Sequence, residues 1–148
     1  MDDAELLAVA IEQARIGRSE GGIPIGAAIL VDGKIVGAGR NRRVQLGSAI
    51  HHGETNALEE AGRLPASAYR RATMATTLSP CDMCTGAILL YGIPRLVIGE
   101  NRTFYGGEDY LRSRGVEVVN LDSAECVELM DAFIAAHPEI WNEDIGEE

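Results

Sequence analysis

A chain of 148 residues, 46% of them hydrophobic, is long enough to bury a core of its own and is read as one domain, residues 1–148. A formal net charge of −10 and a single lysine, Lys34, argue against a polyanionic partner, because nucleic-acid binders draw most of their affinity from Lys and Arg on phosphates. No apolar run approaches the roughly 20 residues needed to span a bilayer, and the acidic start Met1-Asp2-Asp3-Ala4-Glu5 is the opposite of a signal peptide.

Taken in chain order, Leu6, Leu7, Ala10, Ile11 and Ala14 recur at helical spacing and predict a first helix from Asp3 to about Arg18, ending near Gly21-Gly22. Ile25 to Val31 and Lys34 to Ala38 are apolar runs split by Asp32-Gly33, a strong hairpin signal. The pairs Arg42-Arg43 and Arg70-Arg71 are too sparse to form a basic stripe and read as solvated surface. A second helix starts at His52 or just after it and stops at Gly62. Ala72 to Leu78 (ATMATTL) is short and β-rich; Pro80 then opens a helix from Cys81 to Tyr91, closed by Gly92 with Pro94 beyond it. Arg95 to Gly99 predicts a strand, Glu108 to Arg114 a short helix and Val116 to Leu121 a fifth strand. Asp122, with Glu125 three residues on, reads as the cap of a last long helix running to about His137. Helices between the later strands imply parallel crossovers with both sheet faces covered. The expected fold is therefore α/β: a three-layer α/β/α sandwich around a five-stranded mixed sheet whose first pair is antiparallel.

Two short motifs carry chemistry. In Ser79-Pro80-Cys81-Asp82-Met83-Cys84, the cysteines are three apart and share one face at a helix start, where unpaired N–H groups and the helix dipole favour thiolate. Taken alone, this spacing suits a redox pair or a metal site equally. The third cysteine, Cys126, sits between apolar neighbours in the last helix and reads as core. With no secretory start, a close pair points to a reducing, cytoplasmic setting and to metal or redox use. Adding His52 from His52-Gly53-Glu54 makes three ligands, one imidazole and two thiolates, and leaves a fourth tetrahedral position for water, the mark of a catalytic zinc. Such a site needs a carboxyl group close to the metal and not bound to it, and Glu54 is the candidate proton shuttle. Positions two apart lie about 200° from each other on an ideal helix; a helix start that leaves His52 partly in the loop would relax that constraint. Gly53 lets a ligand approach the backbone.

His52-x-Glu54 followed 26 residues after Glu54 by Pro80-Cys81-x-x-Cys84 matches the signature of the zinc deaminases, so the chain resembles the cytidine deaminase superfamily, whose fold agrees with the layers above. The stretches "EGGIPIGAAI", "GAGRN", "HGETNALEEAGRL", "TTLSPCDMCTGAILLYGIPRLVIGEN", "YLRSRGVEV" and "WNEDIGEE" closely resemble the fungal-type cytosine deaminases, from Glu20 to the end of the chain. The loop after Phe104 is one residue shorter than in the fungal proteins. The resemblance implies a homodimer, one catalytic Zn²⁺ per chain held by His52, Cys81 and Cys84, a free pyrimidine base as substrate and a place in pyrimidine salvage. A zinc-bound hydroxide would attack C4 of cytosine, with Glu54 moving the proton to the ring and then to the departing amine. By the same resemblance, Gly53 would offer its backbone and Asn41 its amide to the polar edge of the base, and Asp144 would accept from a ring or amino N–H. Phe104 and Trp141 would close over the base, Ile25 and Leu78 would form pocket walls, and the Ser79 carbonyl would face the amino group being lost.

Physical chemistry supports these roles unevenly. Asn offers both a donor and an acceptor, as the cytosine edge does, and an ionised Asp can only accept; a turn residue after Gly39 is the competing reading of Asn41. A lone tryptophan in an acidic C-terminus is unusual, because tails fray, and a tail folded over the pocket as a lid would explain it. His51 and His137 have no partner in this scheme. Three other functions share the zinc motif or half of it: guanine deamination, deamination of adenosine in tRNA, and a non-catalytic zinc or redox module. The tRNA enzymes need a basic face that a net charge of −10 does not supply, and the tail "WNEDIG" speaks for a pyrimidine over guanine.

Overall fold

The computed structural model describes residues 1–147; Glu148, which ends the acidic tail, lies outside them. Helix α1 (Asp3–Ser19) opens on Asp2, whose carboxylate accepts the Glu5 N–H while Glu5 reaches back to the Asp2 N–H, satisfying two donors that a helix start leaves unpaired. Strands β1 (Gly26–Val31) and β2 (Lys34–Arg40) form the expected hairpin. Its two turn residues, Asp32 and Gly33, both have positive φ, 51° and 78°, the condition for a turn that matches the strand twist. There follow α2 (Arg43–Leu46), α3 (Gly53–Ala61), α4 (Ala66–Tyr69), β3 (Ala72–Leu78), α5 (Asp82–Tyr91), β4 (Arg95–Glu100), α6 (Glu108–Ser113), β5 (Glu117–Asn120), α7 (Ala124–Ala136) and α8 (Pro138–Asp144).

The strands lie in the order β2-β1-β3-β4-β5. β1 runs antiparallel to both β2 and β3, and β3, β4 and β5 are parallel. The two-residue alternation of side chains splits the core between the faces. Ala27, Ile29, Met74, Leu96 and Ile98 pack with Ala57 of α3, Ile88 of α5 and Leu111 of α6. Ala28, Ala75 and Val97 pack with Leu6, Leu7, Ala10 and Ile11 of α1 and with Cys126 of α7. The three layers and the mixed sheet are those read from the sequence, and Cys126 is a core residue, 1% exposed.

The differences are local. Ser123, not Asp122, caps α7, its hydroxyl accepting the Cys126 N–H at 3.3 Å. Asp122 sits at φ 49° and pairs with Arg102, while Glu125 pairs with Arg15 rather than closing a capping box. The short helices α2 and α4 have too few residues to show a period. The tail forms α8 because Pro138, which ends α7, is also pre-set for the first turn of a new helix. No helix is long and apolar enough to cross a membrane among the described residues.

One contact places α3. Because β2 and β3 flank β1 antiparallel on either side, they run in the same direction, and the chain leaves both at the same sheet edge. α3 lies directly on β2 at Gly39, where a Cβ would run into the backbone of Asn56 and Ala57, and the Asn56 side-chain oxygen Oδ1 accepts the Arg40 N–H at 3.0 Å. Gly39→Ala is expected to push α3 off the sheet and to destabilise the protein by about 1–3 kcal/mol, read as a lower urea midpoint with an unchanged m value.

Candidate active site

His52 is the N-cap of α3, with φ −81° and ψ 167°, so it stands outside the helical repeat. Its N–H is held by the Ile50 carbonyl (2.9 Å) and the Thr55 hydroxyl (3.0 Å). This removes the 200° separation that an ideal helix would impose, and His52 and Glu54 line the same cavity. Cys81 is the N-cap of α5 and Cys84 lies in the first turn, so the two are split between cap and helix rather than both helical. The Pro80 carbonyl before them accepts the Gly107 N–H at 2.9 Å.

The three ligand groups converge. His52 Nδ1 lies 3.4 Å from Cys81 Sγ and 3.7 Å from Cys84 Sγ, and all the ligand atoms fall within 4.8 Å of one another. Tetrahedral zinc with its usual bonds to sulfur and imidazole nitrogen would separate N and S by about 3.6 Å, so the donors are spaced for that ion. The ring's other nitrogen, Nε2, is 3.2 Å from Asp144 Oδ1. A proton on Nε2 donated to that carboxylate leaves the Nδ1 lone pair aimed at the sulfurs, the tautomer a metal needs.

Charge in the cluster is uneven. The Cys84 thiol hydrogen-bonds Cys81 and, with burial working against it and His52 beside it, brings Cys81 down to about 4. The same contact, together with burial and Glu54, pushes Cys84 up. Burial would lower His52, but Asp144 and Cys81 outweigh it and raise the imidazole to about 10; a cation at Nδ1 would take the place of that proton. Glu54, 4% exposed, is raised to about 7, first by burial and then by the negative charge of Cys81. It is a carboxyl group poised between acid and base beside the ligand set.

Over the cluster lies a small cavity lined by Ile25, Asn41, His52, Glu54, Leu78, Ser79, Cys81, Phe104, Trp141, Asp144 and Ile145. Ten of these were expected from the sequence; Ile145, which follows α8, was not. Gly53 is not on the wall itself: it sits at the start of α3 with the Ile25–Gly26 backbone 3.3 Å from where its Cβ would be. Phe104 meets Trp141 edge to face at 5.9 Å, and Trp141 is 6% exposed against Ile25, Leu78, Met130 and Phe133. The tail is thus ordered into one wall of the cavity.

Asp144 has more partners than the sequence suggested. Its Oδ1 accepts from Arg43 Nη1 (2.9 Å) and Asn41 Nδ2 (3.4 Å) besides facing His52, and among the described residues no hydrogen bond reaches Oδ2. Burial raises its pKa, and His52 and Arg43 more than reverse that. Asn41, fully buried, also accepts the Arg43 N–H at 3.1 Å, so both ends of its amide have a partner within the chain, one N–H and one oxygen lone pair being left over. Arg43 is a correction: its side chain is 13% exposed and tied to the tail, not a solvated surface charge.

Two further buried acids escaped sequence reading. Glu108 accepts from the Ser79 hydroxyl (2.6 Å) and Asn101 Nδ2 (3.3 Å); Glu100 accepts the N–H groups of Arg102 (2.7 Å) and Thr103 (3.0 Å). Together they bind the loop carrying Phe104 to the segment Ser79-Pro80-Cys81. The signal was faint: a glutamate ending an apolar strand and another opening a helix behind two glycines. His51 and His137 stay off the cavity wall.

A histidine and two cysteines at two helix starts, with a free carboxyl beside them, define a zinc enzyme of the hydrolytic kind. Residues 1–100 match the family described as the cytidine and deoxycytidylate deaminase zinc-binding region. Over 147 residues, 99% of this chain and 98% of the relative, the chain is 57% identical to a cytosine deaminase of Candida albicans. It is 34% identical over 134 residues, 84% of each chain, to a tRNA-specific adenosine deaminase of Streptococcus pyogenes serotype M18. A solved structure from a study of tRNA:A34 deaminases superposes with a TM-score of 0.71 at 26% identity, covering 85% of this chain and 99% of that one. The chain belongs to the zinc-binding cytidine and deoxycytidylate deaminase family.

Replacing either sulfur ligand tests the cluster directly. Purified Cys81→Ser and Cys84→Ser are expected to fall from about one zinc per chain to a small fraction of it, measured by elemental analysis after dialysis.

Proposed function

We infer that the protein hydrolyses the exocyclic amine of free cytosine, giving uracil and ammonia. The observation that carries this reading is the 57% identity to a cytosine deaminase along practically the whole chain, tail included. The cavity agrees in kind: Phe104 and Trp141 line it together with Ile25 and Leu78, apolar surfaces suited to a flat ring, and the polar groups of Asn41, Glu54 and Asp144 face the same space. Bound at the three-ligand cluster, zinc supplies Lewis acidity that brings the pKa of water towards neutrality.

The chain's own residues would do the rest. Glu54 takes a proton from the attacking water and delivers it to the ring nitrogen beside the reacting carbon. It then takes the second proton from the hydroxyl group so added to the carbon and passes it to the amine, which leaves as ammonia. Its burial and raised pKa suit both directions of transfer. Asp144 Oδ2 accepts a substrate N–H, and the remaining N–H and oxygen lone pair of the Asn41 amide meet the polar edge of the base. Gly53 lies in the first turn of α3, where helix N–H groups lack partners in the helix, and offers its backbone to the same edge. The Ser79 carbonyl faces the amine. Phe104 and Trp141 cover the ring, with Ile25 and Leu78 as walls, and water is kept from it.

We place this activity in a single catalytic domain of a cytoplasmic homodimer. Leu90, 75% exposed, and Tyr91, 41% exposed, form an apolar strip beside Tyr69 and Leu64 that supports pairing with a second copy. A second reading, deamination of adenosine in tRNA, is favoured by the 34% identical relative; the net charge of −10 weighs against it.

Ammonia release is expected from cytosine and not from guanine, adenine or cytidine in a side-by-side assay; turnover of guanine or cytidine alone would refute the substrate while sparing the family. Glu54→Gln should keep its zinc and lose activity by about 10²–10⁴-fold. Full activity in that variant would remove Glu54 from the mechanism.

A further inference from the structure

Arg43 joins three segments of the chain. Its Nε donates to the Ala49 carbonyl at 3.2 Å, in the loop that runs into His52. Its Nη2 donates to Glu143 at 3.1 Å, and Nη1 reaches both Glu143 and Asp144, the latter at 2.9 Å. The Asp144 side chain is 3% exposed, and the oxygen that Arg43 holds is the same Oδ1 that faces His52 Nε2 at 3.2 Å. A continuous line of polar contacts therefore runs from α2, through the tail helix, to the imidazole whose other nitrogen points at the two sulfurs.

We propose that Arg43 is a positioning residue of the zinc site: by clamping Glu143 and Asp144 it docks the tail helix so that Asp144 sets the tautomer and tilt of His52, and metal retention depends on that docking. The inference rests on the zinc-site reading above. Asp144 stands on a seven-residue helix, too short to hold its shape without contacts from the rest of the chain. The contact with Glu143, 67% exposed, is worth little alone. Burial makes the Asp144 contact matter, because an unpaired carboxylate there would be costly and would swing towards solvent. The guanidinium fork spans two carboxylates and a carbonyl at once; a lysine ammonium is a point charge that cannot.

The test begins with the zinc content of the purified full-length protein; a wild type without stoichiometric zinc would overturn the site reading itself, before any variant is made. With zinc present, its transfer to excess chelator is timed in wild type, Arg43→Gln, Arg43→Lys and Arg95→Gln. Arg95 pairs with Asp3 and Glu117 at the other end of β4 and controls for loss of an ion pair as such. Arg43→Gln is expected to hold zinc about 10–100-fold more weakly, as loss of outer-shell support does elsewhere, with Arg43→Lys between it and wild type and Arg95→Gln unchanged. The cobalt-substituted proteins give a second readout: the visible spectrum should shift in Arg43→Gln and not in Arg95→Gln. If Arg43→Gln does not fold, Arg43→Lys carries both comparisons. Wild-type zinc retention and cobalt spectra in the Arg43 variants would overturn the proposal, and so would equal zinc loss in Arg43→Gln and Arg95→Gln.

Discussion

Ligation by His52, Cys81 and Cys84 requires the starts of α3 and α5 to face each other within a few ångströms, although His52 and Cys81 are 29 residues apart in the chain. The mixed sheet provides this. With β1 between them and antiparallel to both, β2 and β3 point the same way, so the segments leaving them emerge at one edge and each helix begins there. Close approach of α3 to β2 at Gly39 then sets the depth at which His52 and Glu54 sit. The distances among the three ligand groups follow from that arrangement, and both helix starts also present unpaired N–H groups to the same small volume.

Gathering a thiolate pair, an imidazole and two carboxyl groups in a buried place is unfavourable unless each charge finds a partner. The structure meets this by sharing. One negative charge is divided unequally between Cys81 and Cys84, Asp144 is answered by Arg43 and His52, and Glu54 is raised toward neutrality. Glu100 and Glu108, both fully buried, spend their oxygens on loop N–H and hydroxyl groups instead of on the cavity. They are acids of architecture, holding the Phe104 loop in place. Glu54 and Asp144 differ from them in lining the cavity.

The tail shows how a surface feature becomes an interior one. Trp141 enters a cluster with Phe133, Met130 and Leu78, and Asp144 three residues later meets the imidazole. One short helix therefore supplies both an apolar wall of the cavity and the outer support of a metal ligand. Anything that loosens it acts on the cavity wall and on the His52 contact together, because α8 carries both.

Local spacing determined a great deal. The hairpin at Asp32-Gly33, the five strands, the helix caps around Gly62 and Gly92, and the pair of motifs His52-x-Glu54 and Pro80-Cys81-x-x-Cys84 are all readable in sequence, because turn chemistry, period and ligand spacing act over a few residues. The same holds for Cys126, whose apolar neighbours in the sequence mark it as core. Short helices α2, α4 and α8 escaped, although the six-residue α6 did not, because four to seven residues show little of a period, and the cap of α7 moved by one because Asp122 turned to Arg102 instead. Tertiary structure alone decided which charges are buried: Arg43, Glu100 and Glu108 look like ordinary surface residues until the fold closes over them, and for Arg43 and Glu108 the partner is distant in sequence. Burial and long-range pairing are properties of where chain segments meet, and no local pattern records the partner that arrives from a hundred residues away.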